Sequence, residues 1–291
     1  MIPFDMVEPA TLGEAMALLD PEDPTIRPVA GGTALMLMMK AGVFAPSRLV
    51  CLHKIEPEFS RISATADGGL QIGAMATLSQ LEHDADVAKL FPVLKKAMQR
   101  LSNPRVRNVA RVGGALAHGD PHMDLPPVLT ALGAGITIKS ASGTRELPLE
   151  RLYAGYYETV LQKNELITGV TVPALGARKA AYMKVTSRTA EDWPALGVAV
   201  TFALKDGAMR DPIVVASAAT EKVTRMAAAE KLLQGAVAED AVLKRAGDAA
   251  AEEASILSDA HGSAAYKREL LRVYLRRAVQ RALGQETRQV A

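Results

Sequence analysis

Two pairs of adjacent glycines constrain this chain more than any other feature of its sequence. One pair is Gly31-Gly32 and the other is Gly113-Gly114; the remaining adjacent glycines of the chain, Gly68-Gly69, stand at the start of the strand-like run 69–74. Adjacent glycines remove two side chains in succession, so backbone N–H groups can approach and bind a buried anion. Neither pair has the spacing of a Rossmann or Walker loop. Two such segments in one chain predict a ligand with an extended anionic middle, such as the diphosphate of a dinucleotide.

The first pair separates a predicted strand from a predicted helix. Residues 26–30 form a short apolar run, and residues 33–40 have the pattern of a helix that ends before Gly42. This order places bare backbone amides at the positive end of a helix, which suits a phosphate. A tight turn that needs glycine only for its backbone conformation remains the alternative for this segment taken alone.

The second pair leads into a segment rich in polar residues, from Asp120 to Asp124. We expect Gly113 and Gly114 to offer their amides to a diphosphate. Asp124 could accept hydrogen bonds from a ribose or adenine donor, or cap a helix that runs to Leu132, or do both.

Composition excludes several classes of protein. A net charge of +2 and an aromatic content of 4% argue against a nucleic-acid partner. A single cysteine, Cys51, excludes a disulfide, a zinc site or an iron–sulfur cluster made by this chain alone. Neither a signal peptide nor an apolar stretch of about 20 residues is visible, so we expect a cytoplasmic protein without a membrane span.

The ionisable residues predict neither a metal site nor a nucleophile. His118 and His122 have the spacing of helical zinc ligands, but Pro121 lies between them. The sequence has no nucleophile elbow either. His118 is therefore interpreted as a residue that lines a cofactor pocket. Lys184 follows a strand-like pattern and needs a partner if it points inward; a cofactor phosphate or flavin edge would serve, and a surface salt bridge is the alternative.

The pattern of elements predicts an α+β fold. Residues 11–52 indicate a small α/β unit with parallel strands, and residues 69–173 add strands and short helices. A linker at 173–178 precedes a smaller domain with a three-stranded antiparallel sheet and a helical bundle. Its predicted strands are 181–186, 195–204 and 213–218, and its predicted helices are 224–234, 240–257 and 264–283.

The order of short motifs along the chain resembles the FAD-binding medium subunit of molybdenum hydroxylases, the relatives of xanthine dehydrogenase and aerobic carbon monoxide dehydrogenase. The resemblance covers nearly the whole chain. Its motifs are Ala30-Gly31-Gly32-Thr33, Gly73-Ala74-Met75-Ala76-Thr77, Val112-Gly113-Gly114, Asp120-Pro121, Asp124-Leu125-Pro126, Tyr182-Met183-Lys184, Arg188 and Asp192-Trp193-Pro194.

The resemblance implies a two-subdomain FAD-binding domain of the vanillyl-alcohol-oxidase type, followed by the smaller C-terminal domain. The implied boundaries are 1–175 for the first domain, with subdomains of about 1–57 and 58–175, and 178–285 for the second. The family usually has Thr or Ser where Arg111 stands, and Asn or Ser where Ala115 stands.

The resemblance also implies which residues bind FAD. The two glycine-rich segments would wrap the diphosphate, Asp124 would hold the adenosine part, and Lys184 would approach the cofactor. No residue is given a catalytic role. The candidate cofactor-binding residues are Val29, Ala30, Gly31, Gly32, Thr33, Ala34, Leu35, Met36, Thr77, Leu101, Arg111, Val112, Gly113, Gly114, Ala115, His118, Asp120, Asp124, Ile167 and Lys184.

The partners follow from the same resemblance. Such subunits take electrons from a small subunit with two [2Fe–2S] clusters, while a molybdopterin-binding large subunit oxidises the substrate. We expect a dimer of such heterotrimers and an external electron acceptor. Two alternatives remain at this point: a self-sufficient flavin oxidoreductase, and a cofactor-free docking subunit in which the glycine pairs are only turns.

Overall fold

The first residues fold into the parallel α/β unit that the sequence predicts. A computed structural model describes residues 2–285; Met1, where the expected first domain begins, lies outside them. Three parallel strands have the order β1-β3-β2, and two helices connect them. The elements are β1 (Asp5–Val7), α1 (Leu12–Ala17), β2 (Ile26–Val29), α2 (Leu35–Lys40) and β3 (Arg48–Cys51). Helix α2 begins two residues later than predicted and ends before Gly42, whose φ is +71°.

A five-stranded antiparallel sheet follows, in the order β4-β5-β10-β6-β7. Its central strand is the last of the five in the chain, so the segments between β5 and β10 must fold over the sheet before the chain returns. The strands are β4 (Ile62–Ala64), β5 (Leu70–Gly73), β6 (Gly135–Ser140), β7 (Gly143–Pro148) and β10 (Leu166–Val172); β8 (Tyr153–Gly155) and β9 (Glu158–Thr159) form a separate hairpin.

Six short helices connect β5 to β6. The break predicted near Pro92 is confirmed, because α4 ends at Leu90 and α5 starts at Pro92, where the missing N–H costs no helical hydrogen bond. The helices are α3 (Leu78–His83), α4 (Ala85–Leu90), α5 (Pro92–Arg100), α6 (Pro104–Val109), α7 (Val112–Ala117) and α8 (Leu125–Ala131).

The C-terminal part contains a four-stranded antiparallel sheet in the order β11-β12-β13-β14, and the predicted count of three strands is wrong. The fourth strand has only two residues, too few to show a periodic pattern, and the predicted start of the first C-terminal helix, at residue 224, falls on it. The elements are β11 (Lys179–Val185), β12 (Leu196–Lys205), β13 (Ala208–Ser217), β14 (Thr224–Arg225), α9 (Ala227–Leu233), α10 (Asp240–Glu253) and α11 (Ala264–Ala282).

The two largest sheets each bury an apolar face. Leu70 and Ile72 of β5 pack with Phe91 under the five-stranded sheet, and Phe202 packs with Leu271 and Leu275 between the four-stranded sheet and its helices. A fully buried side chain of this size contributes about 1.5–3 kcal/mol of transfer free energy. Within residues 2–285, no helix has the length and apolar character needed to cross a membrane.

Candidate functional site

The first glycine pair lies in a loop whose backbone donors are free. The N–H groups of residues 31–35 donate to no acceptor within the described part of the chain. Gly32 has a φ of +65°, which favours glycine, and α2 begins after Ala34 without a side-chain cap. These residues are only partly buried. Successive unpaired N–H groups of this kind form a concavity that suits an anion.

Gly31 brings the two glycine segments together. A Cβ atom on Gly31 would lie 2.4 Å from the carbonyl oxygen of Val109 and 2.7 Å from Cα of Ala110. Both contacts are with backbone, which cannot move aside as the end of a side chain could. The absence of a side chain at Gly31 therefore allows the first loop to touch the backbone that leads into the second glycine pair.

The two glycines of the second pair have different roles. The N–H of Gly113 donates to the carbonyl oxygen of Ala74 at 2.7 Å, and a Cβ on Gly113 would lie 2.7 Å from Cβ of Ala74. Gly114 is exposed, has nothing within 4 Å of its Cβ position, and has no acceptor for its N–H among residues 2–285. The Gly113 amide is therefore already bonded within the protein, contrary to the expectation that both amides are available, and the role of the Gly114 amide stays a prediction. Val112 and Ala115, on the same helix, are buried.

Thr77 and Arg111 lie side by side next to this helix, because they form an isolated antiparallel bridge. The Thr77 side chain caps α3 in a capping box with Gln80. Arg111 Nη1 donates to the carbonyl oxygen of Met75 at 2.9 Å, while its Nε has no partner within the described residues. Burial lowers the pKa of Arg111 below its ordinary value, yet a guanidinium remains charged at neutral pH. A positive group thus lies immediately before Val112 at the start of α7.

Asp124 and Lys184 bind each other in a buried ion pair. Lys184 Nζ donates to Asp124 Oδ2 at 2.8 Å and to the carbonyl oxygen of Arg100 at 2.8 Å, and the hydroxyl of Tyr182 donates to Asp124 Oδ1 at 2.6 Å. Asp124 occupies the N-cap position of α8 but makes no side-chain capping bond. Burial raises the pKa of the Asp124 carboxyl, and the ammonium of Lys184 opposes that rise. The surface salt bridge considered for Lys184 is thus wrong, because its partner is internal.

His118 and Asp120 lie on the segment that joins α7 to α8. Asp120 is buried; its Oδ1 accepts from the backbone N–H of His122 at 2.9 Å, and its Oδ2 has no partner within the described residues. His118 contacts the ring of Tyr157 edge to face, with centroids 5.0 Å apart, and burial lowers its pKa. The lowered pKa favours the neutral form of the His118 imidazole.

The two apolar candidates are buried on different elements. Leu101 ends α5, next to the Arg100 carbonyl that binds Lys184. Ile167 lies on β10 opposite Ile138, and the carbonyl of its neighbour Thr168 accepts from Ala74 N–H at 3.1 Å. Leu101 is thus next in the chain to a residue that binds the ion pair, and Ile167 is next to Thr168, which bonds the Ala74 that in turn bonds Gly113.

The candidate residues therefore form two groups. The first contains the loop at 29–36, Thr77 and residues 111–115; the second contains Leu101, Asp124 and Lys184, and residues 115–124 connect them. Sequence reasoning missed Ala74 and Tyr182. The signal for Tyr182 was available, because Tyr182 and Lys184 are two residues apart on a strand and share a face. Among residues 2–285, no cluster of three or more His, Cys, Asp or Glu is arranged to hold a metal.

Comparison with known proteins defines the class of the chain. Residues 2–175 match the family described as the FAD-binding domain in molybdopterin dehydrogenase, and residues 181–282 match the CO dehydrogenase flavoprotein C-terminal domain. The chain belongs to this family of FAD-binding medium subunits. It is an oxidoreductase subunit whose own cofactor is FAD.

Individual relatives align over nearly their whole length. The chain is 31% identical to the glyceraldehyde dehydrogenase medium chain of Sulfolobus acidocaldarius, covering 94% of this chain and 96% of that one. It is also 31% identical to the carbon monoxide dehydrogenase medium chain of Hydrogenophaga pseudoflava, covering 97% and 98%. The solved carbon monoxide dehydrogenase of Hydrogenophaga pseudoflava superposes with a TM-score of 0.93 at 30% identity, over 98% of this chain and 99% of that chain.

Proposed function

We propose that this chain holds FAD with the cofactor diphosphate between its two glycine segments. The observation that carries the proposal is the row of N–H groups at residues 31–35, which have no acceptor among residues 2–285 and lie against the backbone leading to Gly114. An anion with two phosphates needs many donors, and hydrogen bonds to a charged group contribute about 1.5–3 kcal/mol each. Arg111 adds a positive charge at the same place. The donor set therefore fits the chemistry of the group.

The second group of candidates would contact the remainder of the cofactor, as the resemblance implies. Asp124 and Lys184 already satisfy each other, so their contribution would be a fixed charge pair whose position Tyr182 secures. Asp120 Oδ2, buried and without a partner in the described residues, is an acceptor available to a ligand donor. In this proposal Thr77, Leu101 and Ile167 shape the wall of the site.

FAD would supply two-electron and one-electron redox chemistry that no side chain of this protein provides. The chain's own residues would bind and orient it, and would exclude water from one side. We propose that electrons reach it from a [2Fe–2S] small subunit, that a molybdopterin-binding large subunit oxidises the substrate, and that an external acceptor takes the electrons. Assembly as a dimer of heterotrimers and a cytoplasmic location complete the proposal.

The domain boundaries are part of the same proposal. We place the FAD-binding domain at 1–175, with subdomains of about 1–57 and 58–175 in the manner of vanillyl-alcohol oxidase, and the C-terminal domain at 178–285. The parallel sheet and the five-stranded sheet support the division into subdomains, because β3 ends at Cys51 and β4 begins at Ile62.

The deciding experiment is an absorption spectrum of the purified chain, with the released cofactor identified by mass. Flavin bands and the mass of FAD are expected, and co-purification then identifies the partners. A colourless protein that stays colourless after incubation with FAD would contradict the proposal and favour a docking subunit. Turnover of a substrate by the isolated chain would favour a self-sufficient flavin oxidoreductase.

A further inference from the structure

The single tryptophan and two of the five histidines meet where the segment 118–124 touches the C-terminal domain. The ring of His122 stacks on Trp193, with centroids 5.7 Å apart and an interplanar angle of 16°. His261 lies 5.3 Å from the same imidazole. His122 is 5% exposed, whereas Trp193 is 52% exposed. One buried histidine thus supports an accessible aromatic side chain.

Both ring nitrogens of His122 face carboxylates. Nδ1 lies 2.9 Å from Asp120 Oδ1, and Nε2 lies 2.9 Å from Asp259 Oδ2. A neutral imidazole has one N–H and can donate to only one of two acceptors. With both carboxylates ionised, both 2.9 Å contacts can be hydrogen bonds only when His122 carries a proton on each ring nitrogen. His122 is therefore an imidazolium in this arrangement.

A buried lysine extends the row of charges. Lys267 is 0% exposed; its Nζ donates to Asp259 Oδ2 and, at 2.9 Å, to the carbonyl oxygen of Ala218. Two anions and two cations then alternate from Asp120 to Lys267, with no net charge. Loss of the His122 proton leaves one uncompensated negative charge in a largely buried place, which is costly.

The cluster crosses between the two matched domains. Asp120 and His122 belong to the matched range 2–175, while Trp193, Asp259 and Lys267 belong to 181–282. The backbone makes the same connection, because Ala218 N–H donates to the carbonyl oxygen of Pro121 at 2.9 Å.

Two non-glycine residues near the cluster also have a left-handed backbone conformation. Ala218 has a φ of +65° and Tyr157 a φ of +57°, although neither is glycine, and Tyr157 N–H donates to Gly119 O at 3.2 Å. Such conformations are costly and persist where the surroundings fix them, often at functional sites.

We propose that His122 is a positioning residue: as an imidazolium between Asp120 and Asp259 it fastens the segment 118–124 to the C-terminal domain and fixes Trp193 against it. That segment carries His118, Asp120 and Asp124, so the fastening holds three candidate FAD residues in place. This last consequence rests on the proposed function; the fastening itself does not.

The proposal makes the junction sensitive to pH. Burial opposes the charge on His122, but its hydrogen bonds to Asp120 and Asp259 outweigh burial and raise its pKa. A raised pKa means that the stabilisation is complete below about pH 6.5, the unfolded value, and is lost as pH rises through the folded value. Burial likewise opposes ionisation of Asp259, but Lys267 and His122 lower its pKa to about 2, so the carboxylate stays charged throughout this range.

Other titratable groups face the same cluster and must be distinguished from His122. His261 lies beside the imidazole, and Lys267 binds Asp259 from α11. The remaining neighbours are His118 and Tyr157, which face Asp120, and Tyr156, which faces both Asp120 and Asp259. The phenols have raised pKa values and His118 a lowered one, and substitution of one histidine at a time identifies the group responsible for a transition.

Trp193 provides the test, because it is the only tryptophan and touches the histidine in question. The fluorescence of the full-length FAD-free chain is recorded between about pH 5.5 and 9. We expect one transition with a midpoint above about 6.5, since an adjacent imidazolium quenches indole emission. His122→Gln should abolish the transition, while His261→Gln and the exposed control His83→Gln should retain it. A flat wild-type profile, or a transition that survives in His122→Gln, would overturn the proposal.

A second variant keeps the test decisive if His122→Gln does not fold. Asp259→Asn removes one carboxylate from the imidazole, so the fluorescence midpoint should fall by about one pH unit or more. An unchanged midpoint in this variant would overturn the fastening. Urea midpoints of the wild-type chain should also fall between pH 6 and pH 8.5 more steeply than those of either variant.

FAD binding then tests the consequence separately. We expect the dissociation constant for FAD to rise on the order of 10-fold in His122→Gln at pH 6, as for a typical coupling between sites, and the difference from wild type to shrink at pH 8.5. An equal affinity at pH 6 overturns the link to the cofactor. If the wild-type chain binds no FAD, the proposed function fails, while the fluorescence and urea results still decide the role of His122.

Discussion

The loop at residues 31–35 and the pair Asp124–Lys184 are both candidate FAD contacts, yet they satisfy their polar groups in opposite ways. In the loop, a row of N–H donors has no acceptor within the described residues. In the pair, each charged group has partners supplied by the chain itself. The loop is partly buried and an unpaired backbone donor is costly when it is enclosed, so a ligand would stabilise the loop more than the pair.

This difference predicts that the two regions respond differently to mutation. Changes in the pair should act first on folding, with or without FAD. Changes at Gly114 should act on cofactor binding and leave the free protein almost unaffected. Changes at Gly31, which links the two glycine segments, should weaken both folding and cofactor binding.

The largest effect is expected from Asp124→Ala. This substitution leaves the Lys184 ammonium buried without its carboxylate, and breaking a buried pair typically costs about 3–5 kcal/mol. Urea unfolding of the chain without FAD measures the loss. The matched control is the double variant Asp124→Ala with Lys184→Met, which should recover much of the stability because no unpaired charge remains. A single variant as stable as wild type would show that the ion pair is not a structural requirement.

The next effect is expected from Gly31→Ala. The new Cβ would lie 2.4 Å from the Val109 carbonyl oxygen, so the two glycine segments must separate, and such overpacking costs about 1–3 kcal/mol. Both the unfolding free energy and FAD affinity should fall. Gly13→Ala is the control for loss of a glycine alone, since Gly13 has no positive φ and the nearest atom to its Cβ position, Thr11 Oγ1, lies 3.9 Å away. Intact FAD affinity in a stable Gly31→Ala chain would show that FAD binding does not depend on the contact between the two glycine segments.

Features set by local sequence could be predicted, and contacts between distant segments could not. The parallel pairing of β2 with β3 and the Asp206-Gly207 hairpin follow from local periodicity and turn chemistry, and both occur. That Gly113 bonds Ala74 while Gly114 is free could not be predicted, because it depends on a contact between segments almost 40 residues apart. The partner of Lys184 was missed for the same reason: it lies 60 residues away in the chain.

A single substitution isolates cofactor binding: Gly114→Val. Gly114 is open to solvent with nothing within 4 Å of its Cβ position, so a valine there should fold normally while it occupies the proposed diphosphate position. Loss of one or two hydrogen bonds to a charged group predicts an FAD affinity about 10- to 100-fold weaker. Fluorescence titration with FAD measures it. An unchanged affinity would remove this helix from the proposed site.

Gly113→Val serves as the contrast at the neighbouring position. Its side chain would meet Ala74 rather than a ligand, so the free energy of unfolding should fall. A weaker FAD affinity in this variant would then reflect lost packing and not a lost ligand contact. The two adjacent glycines therefore separate packing from ligand binding, which a double substitution would mix.

The smallest effect is expected from Thr77→Ala. The Thr77 hydroxyl caps α3 by accepting from Gln80 N–H at 2.9 Å, and removal of such a cap costs about 0.5–2 kcal/mol. If Thr77 also touches FAD, affinity should fall beyond what the lost stability explains; if it only caps the helix, the FAD dissociation constant should stay within about twofold of wild type. Thr77→Ser keeps the hydroxyl and should restore both properties. Thr77 forms a β-bridge with Arg111, the residue before α7. These two variants therefore tell whether the proposed FAD site includes the start of α3 or ends at α7.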